Sequence, residues 1–240
     1  MKNTVKLIKV GSIATFMAMS GVHAGQAAAE LTLPVVVETG YSSDRVWRGA
    51  SLGEDAANAV VSTTTSLPAA VVLDLSANYS NSDSEIKNEQ TDLSAVFSKK
   101  VSDYLVSLSY TWYSQDQVIG GGQAQEVGLT VSRAVGPVNV SLTQYVGLVG
   151  DSSSYNEISA AYSNTFGSSM KFDFRSELGY LAQEGKCTHF ETRISTDIPV
   201  TNEVVAVPFV AYSLGLDDSV GLHSDMSNLF FGGIEFKRMF

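Results

Sequence analysis

Apolar and polar side chains alternate along most of this chain with a period of two. In "AVVLDLSANYS" (70–80), Val71, Leu73, Leu75, Ala77 and Tyr79 fall at odd positions, and Val72, Asp74, Ser76, Asn78 and Ser80 at even ones. A β-strand sends successive side chains to opposite faces, so the segment reads as a strand with one apolar and one polar face. "YLVSLSYTWYS" (104–114) sets Tyr104, Val106, Leu108, Tyr110 and Trp112 against Ser107, Ser109 and Thr111. "VNVSLTQYVGLV" (138–149) sets Val138, Val140, Leu142, Val146 and Leu148 against Asn139, Ser141, Thr143 and Tyr145. "MKFDFRSELGYL" (170–181) is the sharpest case. Met170, Phe172, Phe174, Leu178 and Tyr180 share one face, and Lys171, Asp173, Arg175 and Glu177 share the other.

The pattern predicts twelve strands, at 33–50, 57–67, 70–80, 91–101, 104–114, 126–135, 138–149, 156–166, 170–182, 189–199, 204–216 and 228–240. Short connections near Pro68, Ser102-Asp103, Gly136-Pro137, 167–169 and 201–203 take turns with longer polar ones near 81–90, 115–125, 150–156, 183–189 and 217–227. An even number of amphipathic strands, with short turns at one end and longer loops at the other, is the pattern of an antiparallel transmembrane β-barrel. Strands of about 9–11 residues suffice to cross a tilted path through a bilayer. A soluble sandwich or adhesin also alternates, but its strands average about 5–6 residues and its turns do not sort by length. The expected fold is therefore all-β, one barrel over residues 30–240, with apolar side chains pointing away from the axis. Pro208, inside "VVAVPFVAYSLGL", cannot donate to a ladder, so a bulge or a later strand start is expected there. Both faces of that segment are apolar, which leaves its orientation open.

The first 29 residues stand apart from this pattern. Lys2, Lys6 and Lys9 precede the apolar run "VGSIATFMAMSGV", and small residues follow at Val22-His23-Ala24 and Ala27–Ala29. A basic head, a short apolar run and small residues form a secretory signal, with a cut expected near 24 or 29. The run is too short for a spanning helix, and no later segment reaches 18 consecutive apolar residues.

Composition narrows the function. The 240-residue chain is 44% apolar but only 17% charged, with a net charge of −10. Losing the signal takes three lysines and no acid from 15 basic and 25 acidic residues, leaving −13. Such a surface does not suit nucleic acid. One cysteine, Cys187, excludes an internal disulfide framework.

Two segments refine the barrel. "NLFFGGIEFKRMF" ends on Phe240 with Phe230, Ile234 and Phe236 in phase, and resembles the terminal signal read by outer-membrane assembly machinery. Arg238 departs from that pattern and is expected at the membrane edge, where it can snorkel to headgroups. "GYSSDRVWRG" (40–49) crowds Asp44, Arg45 and Arg48 among Tyr41, Val46 and Trp47. As part of a first wall strand, Val35, Val37, Thr39, Tyr41, Ser43, Arg45 and Trp47 face lipid, and Glu38, Gly40, Ser42, Asp44, Val46 and Arg48 face the lumen. Tyr41 and Trp47 then join Tyr79, Trp112 and Tyr180 as membrane-interface aromatics. Arg45 must sit near the outer interface, because a mid-bilayer arginine costs about 2–4 kcal/mol. The stretch resembles the Gly-Tyr-Val-Ser-Asp-Tyr-Val-Phe-Arg-Gly signature of TorF-family porins. Gly40, Tyr41, Ser43, Asp44, Val46, Arg48 and Gly49 match, whereas Trp47 stands for Phe and Arg45 for Tyr. "ASLGEDAANAVVSTTTSLP" follows where that family has a polar turn and a second strand. The resemblance implies an outer-membrane barrel and a pore.

The inward faces carry Glu38, Asp44, Asp74, Asp92, Glu126, Glu157, Asp173, Glu177, Glu191, Asp197 and Glu235, against Arg48, Lys100, Lys171, Arg175, Arg193 and Lys237. Eleven acids against six bases leave −5, a modest preference for cations in a narrow bore. The alternative is that these charges pair across the lumen and fill it, as side chains do in the smallest barrels. No insertion is long enough to fold inward, so any constriction must come from wall side chains. Asp44, Arg48, Asp173, Arg175, Glu177, Glu191 and Arg193 are the candidates.

Other chemistry finds little support in the sequence. His223 in "GLHSD" neighbours Ser224 and Asp225, but adjacency in sequence does not build a triad, and no Gly-x-Ser-x-Gly motif exists. Cys187 and His189 supply two potential metal ligands where four are needed, and read as surface residues. The sequence therefore points to a passive pore for small hydrophilic solutes or ions, in outer-membrane lipid, without cofactor or metal. A non-conducting surface-interaction barrel is the alternative, and a barrel hydrolase a remote one.

Overall fold

The computed structural model describes residues 33–83, 89–114, 123–149, 154–166, 170–217 and 228–240. The predicted signal at 1–29, most of the longer loops, the 167–169 turn and the His223 segment lie outside the described residues. Twelve strands form: β1 (Val35–Trp47), β2 (Ala50–Leu67), β3 (Val71–Asp83), β4 (Gln90–Val101), β5 (Tyr104–Tyr113), β6 (Ala124–Val135), β7 (Val138–Val149), β8 (Ser154–Phe166), β9 (Met170–Leu181), β10 (Lys186–Pro199), β11 (Val204–Gly215) and β12 (Leu229–Met239). Each pairs antiparallel with its neighbour in sequence, and β1 pairs with β12 from Val36↔Met239 to Ser42↔Gly233, so the sheet closes into a barrel. Closure leaves no free edge. The start of β1 and the end of β12 share one rim, where the connections are short: Pro68–Ala70, Ser102-Asp103, Gly136-Pro137 and residues 200–203. The far rim carries the longest connections, 114–123 and 216–228, together with shorter ones such as 182–185.

The faces separate as the alternation predicts. Leu75, Phe97, Leu108, Leu129, Leu142, Ile158, Phe174, Ile194, Val210, Ile234 and Phe236 are exposed on the outside. Leu108 is 50% exposed, Leu142 54% and Ile158 53%, which in water would form an untenable apolar belt but in hydrocarbon is the required one. The inward face is a ladder of hydroxyls. Ser94 lies 3.3 Å from Thr111, Ser98 2.8 Å from Ser107, Thr130 3.0 Å from Thr143, and Ser141 2.6 Å from Ser159.

Three local expectations change. First, β1 ends at Trp47, and a two-residue turn, Arg48-Gly49, leads straight into β2, which begins at Ala50 rather than 57. Both turn residues have positive φ, 50° and 82°, the signature of the type I′ turns whose twist suits a tight hairpin. The polar run that reads as a loop is strand. Second, Pro208 causes no bulge. The β11–β12 register runs unbroken through Pro208↔Ile234, and the β10–β11 ladder resumes in the same register at Ile198↔Ala206 after Ser195↔Phe209. The missing donor is absorbed by skipping the intervening pairs. Third, β10 starts at Lys186 and carries a register shift between Cys187 and Phe190. This extra residue turns both Thr188 and His189 inward, where both are fully buried. Cys187 stays exposed, so His189 is not the surface residue expected and the two do not converge.

Candidate functional site

The outer half of the β1–β2 hairpin leaves the wall. Strand β1 separates from β12 beyond Ser42↔Gly233 and shifts register against β2 between Asp44 and Val46. Strand β2 is irregular against β3 between Glu54 and Ala57, with positive φ at Gly53 and Asp55. These breaks on both arms turn the ribbon into the bore. Ala50, Leu52 and Ala56 become buried, and the Ser82 hydroxyl donates to the Leu52 carbonyl at 3.2 Å. Val46 packs on Phe209, Ala211 and Phe231, which point inward from β11 and β12. This settles the orientation of the doubly apolar β11: its inner face is apolar because the hairpin covers it.

The tip reaches the opposite wall. Arg48 Nη2 donates to Glu126 Oε2 at 2.6 Å, and the guanidinium lies 4.2 Å from the centre of the Tyr155 ring, 4.4 Å from Trp47 and 5.0 Å from Tyr145. The Tyr113 hydroxyl donates to Glu126 Oε1 at 3.3 Å. Gly49 sits against His189: a Cβ there would lie 2.3 Å from that of His189. His189 stacks on Tyr155 at 6.4 Å between centroids, with Nδ1 3.0 Å from the Thr188 hydroxyl and Nε2 3.6 Å from Glu177 Oε1. Gly179 on β9 makes room for this arrangement, since a Cβ there would come within 2.4 Å of both the Tyr155 and Thr188 oxygens.

The inserted hairpin borders two chambers. One, of about 470 Å³, is lined by Trp47, Arg48, Glu126, Tyr145, Glu157, Arg175, Glu177, Glu191 and Arg193, with Val46 at its boundary. The other, of about 210 Å³, is lined by Ser42, Asp44, Arg45, Asn78, Phe209 and Glu235, and again touches Val46 and Arg193. Five of the seven predicted lumen residues thus meet in the larger chamber: Arg48, Arg175, Glu177, Glu191 and Arg193. Asp44 lines the smaller one and accepts a hydrogen bond from Ser51 at 2.7 Å. Asp173 lies apart, near the rim of the chain ends, paired with Lys171 at 2.9 Å and with the Ser163 hydroxyl.

Opposite charges are interleaved rather than segregated into two facing walls. Arg175 bridges Glu157 at 3.1 Å and Glu177 at 2.9 Å, and Arg193 pairs with Glu235 at 2.7 Å while lying over the Phe209 ring. Glu191 faces Glu177 directly across the β9–β10 ladder. Interleaved charges of this kind set only a weak transverse field across the bore. Glu126, Glu157, Tyr113, Tyr145 and Tyr155 escaped the candidate constriction; their only sequence signal was a charge or phenol on an inward face.

Two assignments in the Gly40–Gly49 stretch are corrected. Arg45 does not face lipid: its Nη2 donates to the Gln90 side chain on β4 inside the barrel. Trp47 is no interface aromatic but a wall of the larger chamber, stacked with Arg48. Both follow from the hairpin leaving the wall, after which alternation no longer separates lipid from lumen. Tyr41, by contrast, is 48% exposed on the outside and donates to the Asp55 carboxylate. Tyr79, Trp112 and Tyr180 lie towards the far-rim ends of β3, β5 and β9. Arg238 pairs with Glu203 at 2.8 Å and stacks on Phe240, which is 64% exposed and holds Val35 through backbone bonds at the opposite rim.

No family model matches the chain, and no curated protein matches it. The TorF-family resemblance thus rests on the Gly40–Gly49 motif. Solved structures do match the fold. The NanC porin aligns with a TM-score of 0.54 at 12% identity, over 85% of this chain and 98% of its own. The COG4313 outer membrane channel from Pseudomonas putida F1 aligns at 0.52 and 10% identity, over 91% of this chain and 100% of its own. The translocator domain of the autotransporter NalP from Neisseria meningitidis aligns at 0.53 and 12% identity, over 95% and 93%. The chain shares with them the closed antiparallel β-barrel, and at such identity the likeness carries the fold alone.

Proposed function

We propose that the chain is a passive channel in the bacterial outer membrane, passing small hydrophilic solutes or ions between the hydroxyl-lined wall and the inserted hairpin. It reaches that membrane through a signal cut near residue 24 or 29 and an assembly signal ending at Phe240. Tyr41, Tyr79, Trp112 and Tyr180 anchor its outer surface at the lipid interface. The observation that carries the reading is the polar interior: serine and threonine pairs line the inner wall, and a 470 Å³ chamber rimmed by charged groups opens beside them. An inert structural cylinder of this width would fill its core with apolar side chains or a denser salt network. The names of the porin and channel neighbours agree with this reading. It assigns the lumen no covalent chemistry and no cofactor.

Selectivity follows from charge. Arg45 joins the inward bases, so eleven acids face seven bases, and a modest cation preference remains. A reversal potential measured under a potassium chloride gradient is expected to favour potassium; one favouring chloride removes the preference.

A second reading has one specific observation behind it. The hairpin crosses the bore and latches to the far wall through Arg48 and Glu126, which is how a closed, non-conducting barrel would be built. Swelling of proteoliposomes in sugars of graded size separates the two. Channel behaviour predicts swelling that declines with solute size. No swelling with the smallest sugar, in wild type and in a variant shortened across 45–52, establishes the non-conducting barrel.

A further inference from the structure

Arg48 occupies a costly position. It holds a positive φ of 50° in a two-residue turn, a place that Asn or Asp fills more readily. Within the hairpin the guanidinium meets the adjacent Trp47 ring at 4.4 Å. Its other partners lie on the far wall. Tyr113, Glu126, Tyr145 and Tyr155 come from four successive strands, β5 to β8, and all belong to the wall rather than to the hairpin. Together they present one carboxylate and two π faces to a flat cation: Glu126 at 2.6 Å and the ring centres of Tyr155 and Tyr145 at 4.2 and 5.0 Å. That combination selects a delocalised monocation over a compact hydrated one, because a guanidinium loses less hydration on stacking and forms directed bonds to the carboxylate. The chamber leading to it adds Glu157, Glu177 and Glu191. Glu191 has no basic partner within ion-pair distance among the described residues and faces Glu177. Among the described residues, the registered pairing of the hairpin with β12 ends at Ser42 and with β3 at Glu54, and the side-chain bonds Gly232 N–H to Ser43 Oγ and Ser82 Oγ to the Leu52 carbonyl lie beyond it.

We propose that the Tyr113–Glu126–Tyr145–Tyr155 box is a binding site for the guanidinium group of a cationic solute, with Arg48 as a built-in occupant that such a solute displaces. This deepens the channel reading and rests on it. The occupied box holds the hairpin across the bore; an arriving guanidinium competes for Glu126 and releases the tip.

The test uses the full mature chain, refolded and inserted into planar bilayers, with methylguanidinium as the probe and sodium at equal ionic strength as the control. Arg48→Ala is expected to raise unitary conductance severalfold. Millimolar methylguanidinium is then expected to block this variant, at concentrations at least tenfold below those at which sodium does. Glu126→Gln added to Arg48→Ala is expected to weaken that block at least tenfold. Glu126→Gln alone, which leaves the hairpin sequence intact, is expected to raise conductance as well, and covers the case in which Arg48→Ala misfolds. An open variant equally indifferent to methylguanidinium and sodium, or a block unchanged by Glu126→Gln, overturns the site. If no variant conducts, the channel reading fails, and the site is judged separately. In a Trp112→Phe background, Trp47 is the sole tryptophan of the chain. With Arg48 intact, its fluorescence is expected to change saturably with methylguanidinium as the tip is released, and to lose that response with Glu126→Gln. No saturable change overturns the proposal.

Discussion

At the scale of single residues, Gly49 and Arg48 decide where the hairpin goes. Gly49 has φ of 82° and no space for a Cβ beside His189. Gly49→Ala therefore meets both backbone strain and a clash, together costing about 1–3 kcal/mol of docking. The buried tip should then become accessible, and limited trypsin digestion of refolded protein should cut after Arg48 where the wild type resists. An uncut Gly49→Ala barrel contradicts the docked tip. Phe240 supplies a second prediction at this scale. Exposed and held mainly by backbone bonds to Val35, it contributes little to the finished barrel. Phe240→Ala is expected to refold normally in detergent yet to accumulate several-fold less in the outer membrane, read by fractionation of expressing cells. Equal accumulation removes its role as an assembly signal. The direction a side chain takes was legible where the strand stays in the wall, as for the outward Tyr41. It failed for Arg45 and Trp47, because alternation reports only the two faces of a wall strand and these residues sit on a ribbon that has left the wall.

At the scale of elements, β5 shows the two solvents most plainly. Leu108 is half exposed on the outside, while Ser107 pairs with Ser98 inside at 2.8 Å. Leu108→Arg is expected to cost about 2–4 kcal/mol in vesicles, the penalty for arginine near mid-bilayer. Ser107→Ala should cost no more than about 1 kcal/mol, the worth of one cross-strand hydroxyl pair. Denaturant titration of folded protein in vesicles reads both; equal effects would mean that the faces are not separated by solvent. Strands such as β3, β5, β7 and β9 were legible because each has one apolar face. The first part of β2, before residue 57, was not, since "SLGEDAAN" alternates nothing: Leu52 and Ala56 are buried there while Asp55 turns out to Tyr41. The bulge in β10 was equally silent, because an extra inward residue leaves no mark when Thr188 and His189 are both polar.

At the scale of the whole molecule, closure, strand number and sidedness all follow from the period-two pattern and the ordering of short and long connections. The path through the bore does not. The longest loops read as too short to constrict it, and that inference overlooked a wall hairpin as material for a constriction. Breaks at Asp44/Val46 and Glu54/Ala57 let the chain bend a strand pair inward without spending an insertion. The apolar inner face of β11 was the visible trace: Phe209 and Ala211 have no place in a wet lumen unless something covers them. The central claim is an aqueous passage narrowed by that hairpin. The most direct test is unitary conductance in planar bilayers of the mature chain and of a variant shortened across 45–52 with a two-residue turn. Small discrete steps that grow severalfold on shortening are the predicted result. Silence from both proteins, each shown to be folded and inserted, would contradict it.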